Sequence, residues 1–140
     1  MKVAVVYWSG TGNTKAMAEA LADAVRANGA DADLLEPGDF DPGKAAEYDA
    51  FALGCPSMGA EVLEEDEFQP MYDAVESALS GKKVALFGSY GWGDGEWMRN
   101  WEEQAKGAGL DVVAALIANE APDAPALAEL AALGAELAGR

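Results

Sequence analysis

Val3-Ala4-Val5-Val6-Tyr7, followed after Trp8 by Ser9-Gly10-Thr11-Gly12-Asn13-Thr14, is the stretch on which the fold turns. A short apolar, β-branched run is cut by glycines and hydroxyls, and a helical pattern begins at Lys15. That order reads as a buried strand, a tight loop and a helix whose free N–H groups point into the loop. Such a loop holds an anion, above all a phosphate.

Outward from it the chain alternates. Met17, Leu21 and Val25 recur at four-residue spacing beside Ala18, Ala20 and Ala24. Glu19, Asp23 and Arg26 take the other face, and Asn28-Gly29 ends the helix. A weak strand at residues 32–35 is closed by Glu36-Pro37-Gly38-Asp39, and a short helix follows at 42–47. Residues 49–54 read as a buried strand and residues 68–79 as a helix stopped by Ser80-Gly81. The strand 84–87 runs into a loop containing Gly88, Gly91, Gly93 and Gly95. A helix over 96–106, a strand over 112–118 and a last helix after Asp123, with Leu127, Leu130, Leu133 and Leu137 on one stripe, complete the chain.

Strands alternating with helices predict an α/β fold with a parallel sheet covered on both faces. Right-handed crossovers and a chain this short favour five strands in the order 2-1-3-4-5, as one domain over residues 1–140. Ligands of such sheets sit at the carboxyl ends of the strands where strand order reverses. The loops 9–14, 56–61 and 89–95 should therefore converge on one site.

Composition narrows the chemistry. With 51% hydrophobic and 24% charged residues the chain reads as globular. Nine basic residues against twenty-five acidic ones give a net charge of −16, which repels nucleic acid and anionic membranes and favours basic protein partners. Solubility alone accounts for the same charge. The single cysteine, Cys55, excludes an internal disulfide and Cys-pair metal motifs. The absence of histidine excludes histidine acid–base catalysis, Ser-His triads and the usual zinc sites. One Lys before a short apolar run is too little for a secretion signal or a membrane span, so the expectation is a cytoplasmic protein, and a small acidic domain suggests a monomer.

Loop 9–14 lacks the Gly-Lys-Ser/Thr of a Walker motif, and Lys15 stands where a dinucleotide fingerprint needs its third glycine. The hydroxyls of Ser9, Thr11 and Thr14, with a helix end carrying about half a positive charge, suit a terminal monophosphate. A low-molecular-weight tyrosine phosphatase would need arginine six residues after its cysteine, and Glu61 stands there. A response regulator would need an aspartate where Gly54-Cys55 closes the third strand. Tyr90-Gly91-Trp92-Gly93 sets an aromatic between glycines, where it can lie flat, and Met58 offers a polarizable second wall. One phosphate and one flat ring describe flavin mononucleotide, FMN.

These residues resemble a short-chain flavodoxin of the clostridial and megasphaeral type. The likeness rests on Val6-Tyr7-Trp8-Ser9-Gly10-Thr11-Gly12-Asn13-Thr14, Leu53-Gly54-Cys55-Pro56, Met58-Gly59 with Glu61-Val62-Leu63-Glu64-Glu65, and Gly81-Lys82-Lys83-Val84-Ala85-Leu86-Phe87-Gly88-Ser89-Tyr90-Gly91-Trp92-Gly93. It continues through Glu96-Trp97-Met98 to Asn119-Glu120 and Pro122-Asp123. The resemblance implies a flavodoxin-like fold and phosphate contacts from Ser9, Gly10, Thr11, Gly12, Asn13 and Thr14, with Ser89 assisting. Trp92 would stack on the outer face of the isoalloxazine and Met58 would back the inner face. Glu61 would accept the flavin N3–H, while amides near Gly91 and Trp92 face O2 and N1. Trp8 and Asn119 would flank the phosphate and ribityl regions, and Pro56, Ser57, Ala60, Tyr90 and Gly93 would complete the contacts. Two departures stand out: Pro56 replaces a serine able to reach the phosphate in some relatives, and Ala60 replaces an aspartate.

The implied function is a low-potential one-electron carrier passing electrons between redox enzymes, with no catalytic residue and no metal. Its FMN would cycle between semiquinone and hydroquinone as the Gly59-Ala60 peptide turns its carbonyl toward N5. Glu61, Glu64, Glu65, Asp66 and Glu67 form an acidic run that reads either as a solvated helix start or as a docking face for basic redox partners. Trp97, Met98 and Trp101 read as packing. The alternatives are an FMN-dependent quinone or flavin reductase on the same fold, whose substrate space Trp92 would cover, and a non-redox nucleotide-binding module.

None of the three loops carries Arg or His, and Lys15 lies just beyond the first of them. A positive charge about 4 Å from flavin N1 would contribute roughly 4 kcal/mol at an effective dielectric near 20, or roughly 170 mV for one electron. Potentiometric titration is accordingly expected to place the second one-electron couple below that of free FMN. A value well above it would overturn the low-potential reading.

Overall fold

The first strand, β1 (Lys2–Tyr7), shows no hydrophobic alternation because both of its faces are covered: Val3, Ala4, Val5 and Val6 are fully buried. In the computed structural model, which describes residues 1–58, 62–91 and 93–139, the chain continues through α1 (Asn13–Ala27), β2 (Asp31–Leu35), α2 (Pro42–Ala45) and β3 (Ala50–Gly54). Then come α3 (Phe68–Val75), β4 (Lys83–Tyr90), α4 (Glu96–Gly107), β5 (Asp111–Asn119) and α5 (Ala124–Leu137). The five strands are parallel and ordered β2-β1-β3-β4-β5, as the alternation predicts.

The pleat divides the core in two. Ala4, Val6, Phe51, Leu53, Val84 and Leu86 face α3 and α4, where Phe68, Tyr72, Trp97 and Trp101 are buried. Val3, Val5, Ala50, Ala52, Ala85 and Phe87 face α1 and α5, which contribute Met17, Leu21, Val25, Leu130, Leu133 and Leu137. The first side is aromatic, with Trp101 edge-on to both Phe68 and Tyr72 at ring distances of 5.4 and 5.8 Å. The second is lined by small residues, so α1 and α5 approach closely: a Cβ on Gly134 would run into that of Ala24. The packing role expected of Trp97, Met98 and Trp101 is observed, each being at most 3% exposed. Among the described residues no helix is long and apolar enough to cross a membrane.

Several boundaries move. The α1 helix starts at Asn13, two residues early, because Gly12 takes the cap position at φ +98°. The helix expected over 68–79 becomes α3 plus a 3₁₀ turn at Glu76–Leu79, a common way of tightening a last turn. On α5, Asp123 caps the start by accepting the Ala126 N–H at 3.0 Å, but Leu127 leaves the expected stripe and is 44% exposed. The largest change is in β4. Gly88, Ser89 and Tyr90, expected in the loop, extend the strand and pair with Ile117, Ala118 and Asn119 of β5.

Gly88 makes this possible. Its Cα lies so close to the Cys55 carbonyl that a Cβ would collide with that oxygen, and the ring of Trp97 stands beside it, its Nε1–H donating to the same carbonyl at 3.2 Å. A glycine inside a strand marks such an approach of two backbones. Gly88→Ala is expected to destabilise the protein by about 1–3 kcal/mol through overpacking, measured as a lower urea midpoint, whereas Gly91→Ala, which meets open space, should leave the midpoint nearly unchanged.

Candidate functional site

Three strands end together at one edge of the sheet. The segments that follow β1 and β3, the end of β4 with Gly91, and Glu120 after β5 surround a cleft of about 300 Å³ lined by residues 8–11, 13–14, 56–58, 89–91 and 120. Hydrogen bonds fix the segments to one another. The Trp8 N–H donates to the Gly54 carbonyl at 3.0 Å, Cys55 N–H to Phe87 O at 3.1 Å, and Ser57 N–H to Ser89 O at 3.0 Å.

The first wall is the loop into α1. The Ser9 hydroxyl accepts the N–H groups of Gly12 and Lys15 at 3.1 and 3.3 Å, which folds the loop back on itself. The N–H groups of Gly10, Thr11, Asn13 and Thr14 have no acceptor among the described residues, and no acidic side chain lies in the first turn of α1. Unpaired donors at the positive end of a 15-residue helix form an anion cradle. Thr14 is 1% exposed, and its hydroxyl shares a 3.1 Å hydrogen bond with that of Ser89, which is 5% exposed. The Ser89 N–H also reaches Thr14 Oγ1 at 3.4 Å. Trp8 closes the side of the loop, its ring packed on Gly10.

The second and third walls come from β3 and β4. Pro56, Ser57 and Met58 line the cleft. Met58 and Val62 exchange backbone hydrogen bonds of 2.9 and 3.1 Å as an isolated antiparallel bridge. Gly59, Ala60 and Glu61, the residues expected at flavin N5 and N3, and Trp92, the expected stacking ring, lie outside the described residues. Cys55, just below the second wall, is fully buried; burial pushes its thiol up to about 12 against the opposing effect of the Glu64 N–H on its sulfur, leaving it neutral and inert. Tyr90 lies 5.7 Å from the Trp97 ring and lines the cleft with Gly91. Gly12 and Gly93 hold backbone turns at φ +98° and +86° rather than lining the cleft. Asn119 also stands outside the lining; its amide donates to the Tyr90 carbonyl at 3.4 Å. Its neighbour Glu120, at φ +58°, lines the cleft instead, and no local pattern in the sequence singles it out.

A family described as flavodoxin matches residues 5–134. The chain is similar to a flavodoxin of Megasphaera elsdenii, with 47% identity over 91% of this chain and 94% of that one. It is similar to a flavodoxin of Clostridium beijerinckii at 49% identity over 85% and 87% of the two chains. The solution structure of two-electron reduced Megasphaera elsdenii flavodoxin superposes with a TM-score of 0.90 and 45% identity over 99% of each chain. The chain belongs to the flavodoxin family.

It is therefore an FMN-binding electron-transfer protein rather than an enzyme, and its partners are redox proteins. Open α/β sheets bind ligands where strand order reverses, a rule for which the flavodoxin fold is itself a standard example; here that point lies between β1 and β3. The residues present suit the cofactor: unpaired N–H donors of loop 9–14 and the side chains of Met58 and Tyr90 line the same cleft.

The acidic segment beside the cleft divides by role. Glu64, expected on the docking face, is only 6% exposed, and its carboxylate accepts the N–H groups of Asp66, Glu67 and Phe68 at 2.8, 2.8 and 2.7 Å. It binds the first N–H of α3 and the two before it, and so is not free for the partner contact expected of it. Glu65, Asp66 and Glu67 are exposed. Burial raises the Glu64 pKa, but the three N–H groups outweigh it and hold the carboxyl below its usual range. A depressed folded pKa means stability that is present above the unfolded pKa and lost as pH falls through the folded one. Glu64→Ala is expected to cost about 1.5–3 kcal/mol at neutral pH. In urea melts the gap between wild type and Glu64→Gln should be widest at neutral pH and close in acid; a gap independent of pH would contradict the ionised cap.

Proposed function

We propose that this protein is a low-potential one-electron carrier of the cytoplasm, a monomer with one domain over residues 1–140 that holds FMN by its phosphate in loop 9–14. The observation that carries the reading is the set of unpaired N–H groups of Gly10, Thr11, Asn13 and Thr14 at the head of α1, facing the same cleft as residues 56–58 and 89–91. Bound FMN supplies the one-electron chemistry; the chain supplies position and charge.

The N–H groups and the Thr11 hydroxyl would hold the phosphate, and the Thr14–Ser89 hydrogen bond ties the first wall to the third. Met58 and Tyr90 take the ring end, with Trp92 and Glu61 assigned to it by the family resemblance alone. No Lys or Arg is among the described residues lining the cleft, whereas Glu120 is. With no fixed positive charge to offset it, added electron density in the site is left unstabilised, which favours a strong reductant. The same imbalance extends outward. A net charge of −16 steers a basic partner, and the exposed Glu65 and Asp66 stand next to the cleft wall as the docking face, with Glu67 beside them.

The test is a charge reversal, Glu65→Lys with Asp66→Lys, in the FMN-loaded protein. FMN affinity and the visible spectrum should be unchanged. Electron transfer to a redox partner with a basic surface should slow by about tenfold at low ionic strength, and the difference should vanish as salt screens it. Equal rates at low salt would remove Glu65 and Asp66 from the docking face.

A further inference from the structure

The Trp8 indole ties the phosphate loop to the acidic segment 59 positions away: its Nε1–H donates to Glu67 Oε2 at 3.0 Å. The backbone is anchored at both ends of this bond. The Trp8 backbone is held by Gly54, and its ring lies so close to Gly10 that a Cβ there would sit 3.1 Å from Cη2 and 3.3 Å from Cζ3. Glu67 occupies the position before α3, and its N–H is bound to the buried Glu64 carboxylate at 2.8 Å. A continuous chain of contacts thus runs from Glu64 through Glu67 and Trp8 to Gly10, whose N–H has no acceptor among the described residues. A hydrogen bond from a neutral donor to a carboxylate is among the stronger ones available to an indole, and it defines the direction of the ring as well as its place. Without it the half-buried ring keeps its apolar contact but loses the side-chain hydrogen bond it makes among the described residues.

We propose that Glu67 is a positioning residue for phosphate binding: its carboxylate holds the Trp8 ring against Gly10 and so keeps loop 9–14 in the form that receives the FMN phosphate. The inference rests on the phosphate seat proposed above. It gives the carboxylate a role opposite to the one its charge suggests, since a negative group near a phosphate should by itself weaken binding.

Apoprotein titrated with FMN and with riboflavin, which lacks the phosphate, separates the possibilities. In the wild type FMN should bind far more tightly than riboflavin; equal affinities would sink the phosphate seat and this inference with it. Glu67→Ala should weaken FMN by about tenfold, leave riboflavin unchanged, and shift the Trp8 indole N–H resonance in the NMR spectrum. Glu67→Gln, whose amide oxygen still accepts, should restore FMN affinity to within about twofold, because acceptor and geometry are kept. Trp8→Phe should match Glu67→Ala, and the double variant should lose no more than either single one. Tighter FMN binding in both Glu67→Ala and Glu67→Gln would mean that the residue acts through charge alone. Equal losses for FMN and riboflavin would mean a purely structural contact. Either result, or no change in Glu67→Ala, overturns the proposal while leaving the phosphate seat intact.

Discussion

Burial of β1 on both faces is the constraint from which the rest of the structure follows. Four consecutive apolar residues cannot be hidden by one layer of helices, so the chain must cover both sides of the strand. It does so by sending α1 to one face and, after β2, returning to the other side of β1 to lay down β3 and place α3 on the opposite face. The crossover to either side leaves a crevice at the carboxyl end of β1. The loop that leaves β1 opens directly into it, with the donors of α1 behind. The site is thus a by-product of hiding Val3 to Val6, and its chemistry is added by whatever loops the strand ends carry.

What turns a crevice into a site of fixed shape is a small number of polar contacts among those ends. Thr14 of α1 and Ser89 of β4 are polar, buried and bonded to each other, while Ser57 binds the backbone of Ser89. Buried hydroxyls left unpaired would cost more than the pair gains, so the contact is specific as well as stabilising. It also couples the walls: a displacement of β4 is felt in the first turn of α1. Gly88 serves the same purpose by letting β4 press against the Cys55 carbonyl, so that the second and third walls start from one plane.

The parts legible in the sequence are those set by neighbours along the chain. The apolar run of β1, the glycine–hydroxyl loop, the stripe of Met17, Leu21 and Val25 and the Asp123 cap all follow from local periods and turn chemistry. Strand order followed from alternation and handedness. The features that local patterns leave out share a different cause. Gly88 reads locally as a strand breaker, yet a backbone 33 positions earlier in the chain requires glycine there and the strand continues. Leu127 fits the helical period but is left 44% exposed while Leu130 is fully buried. Glu120 enters the cleft through a left-handed turn that no pattern announces.

The acidic segment shows most clearly why charge alone does not assign a role. Glu64, Glu65, Asp66 and Glu67 are nearly indistinguishable by composition, and all four suit a helix start or a basic partner. Their surroundings separate them. Glu64 turns inward to three N–H groups and is consumed by the fold; Glu67 reaches an indole and is consumed by the cleft wall. Only Glu65 and Asp66 keep carboxylates that are both exposed and free of any side-chain ion pair or hydrogen bond among the described residues. Two of the four carboxylates in this segment are therefore engaged within the protein before any other molecule approaches. These two are bound into the structure, Glu64 by backbone N–H groups and Glu67 by the Trp8 indole, so one acidic stretch serves folding contacts and surface charge through different atoms.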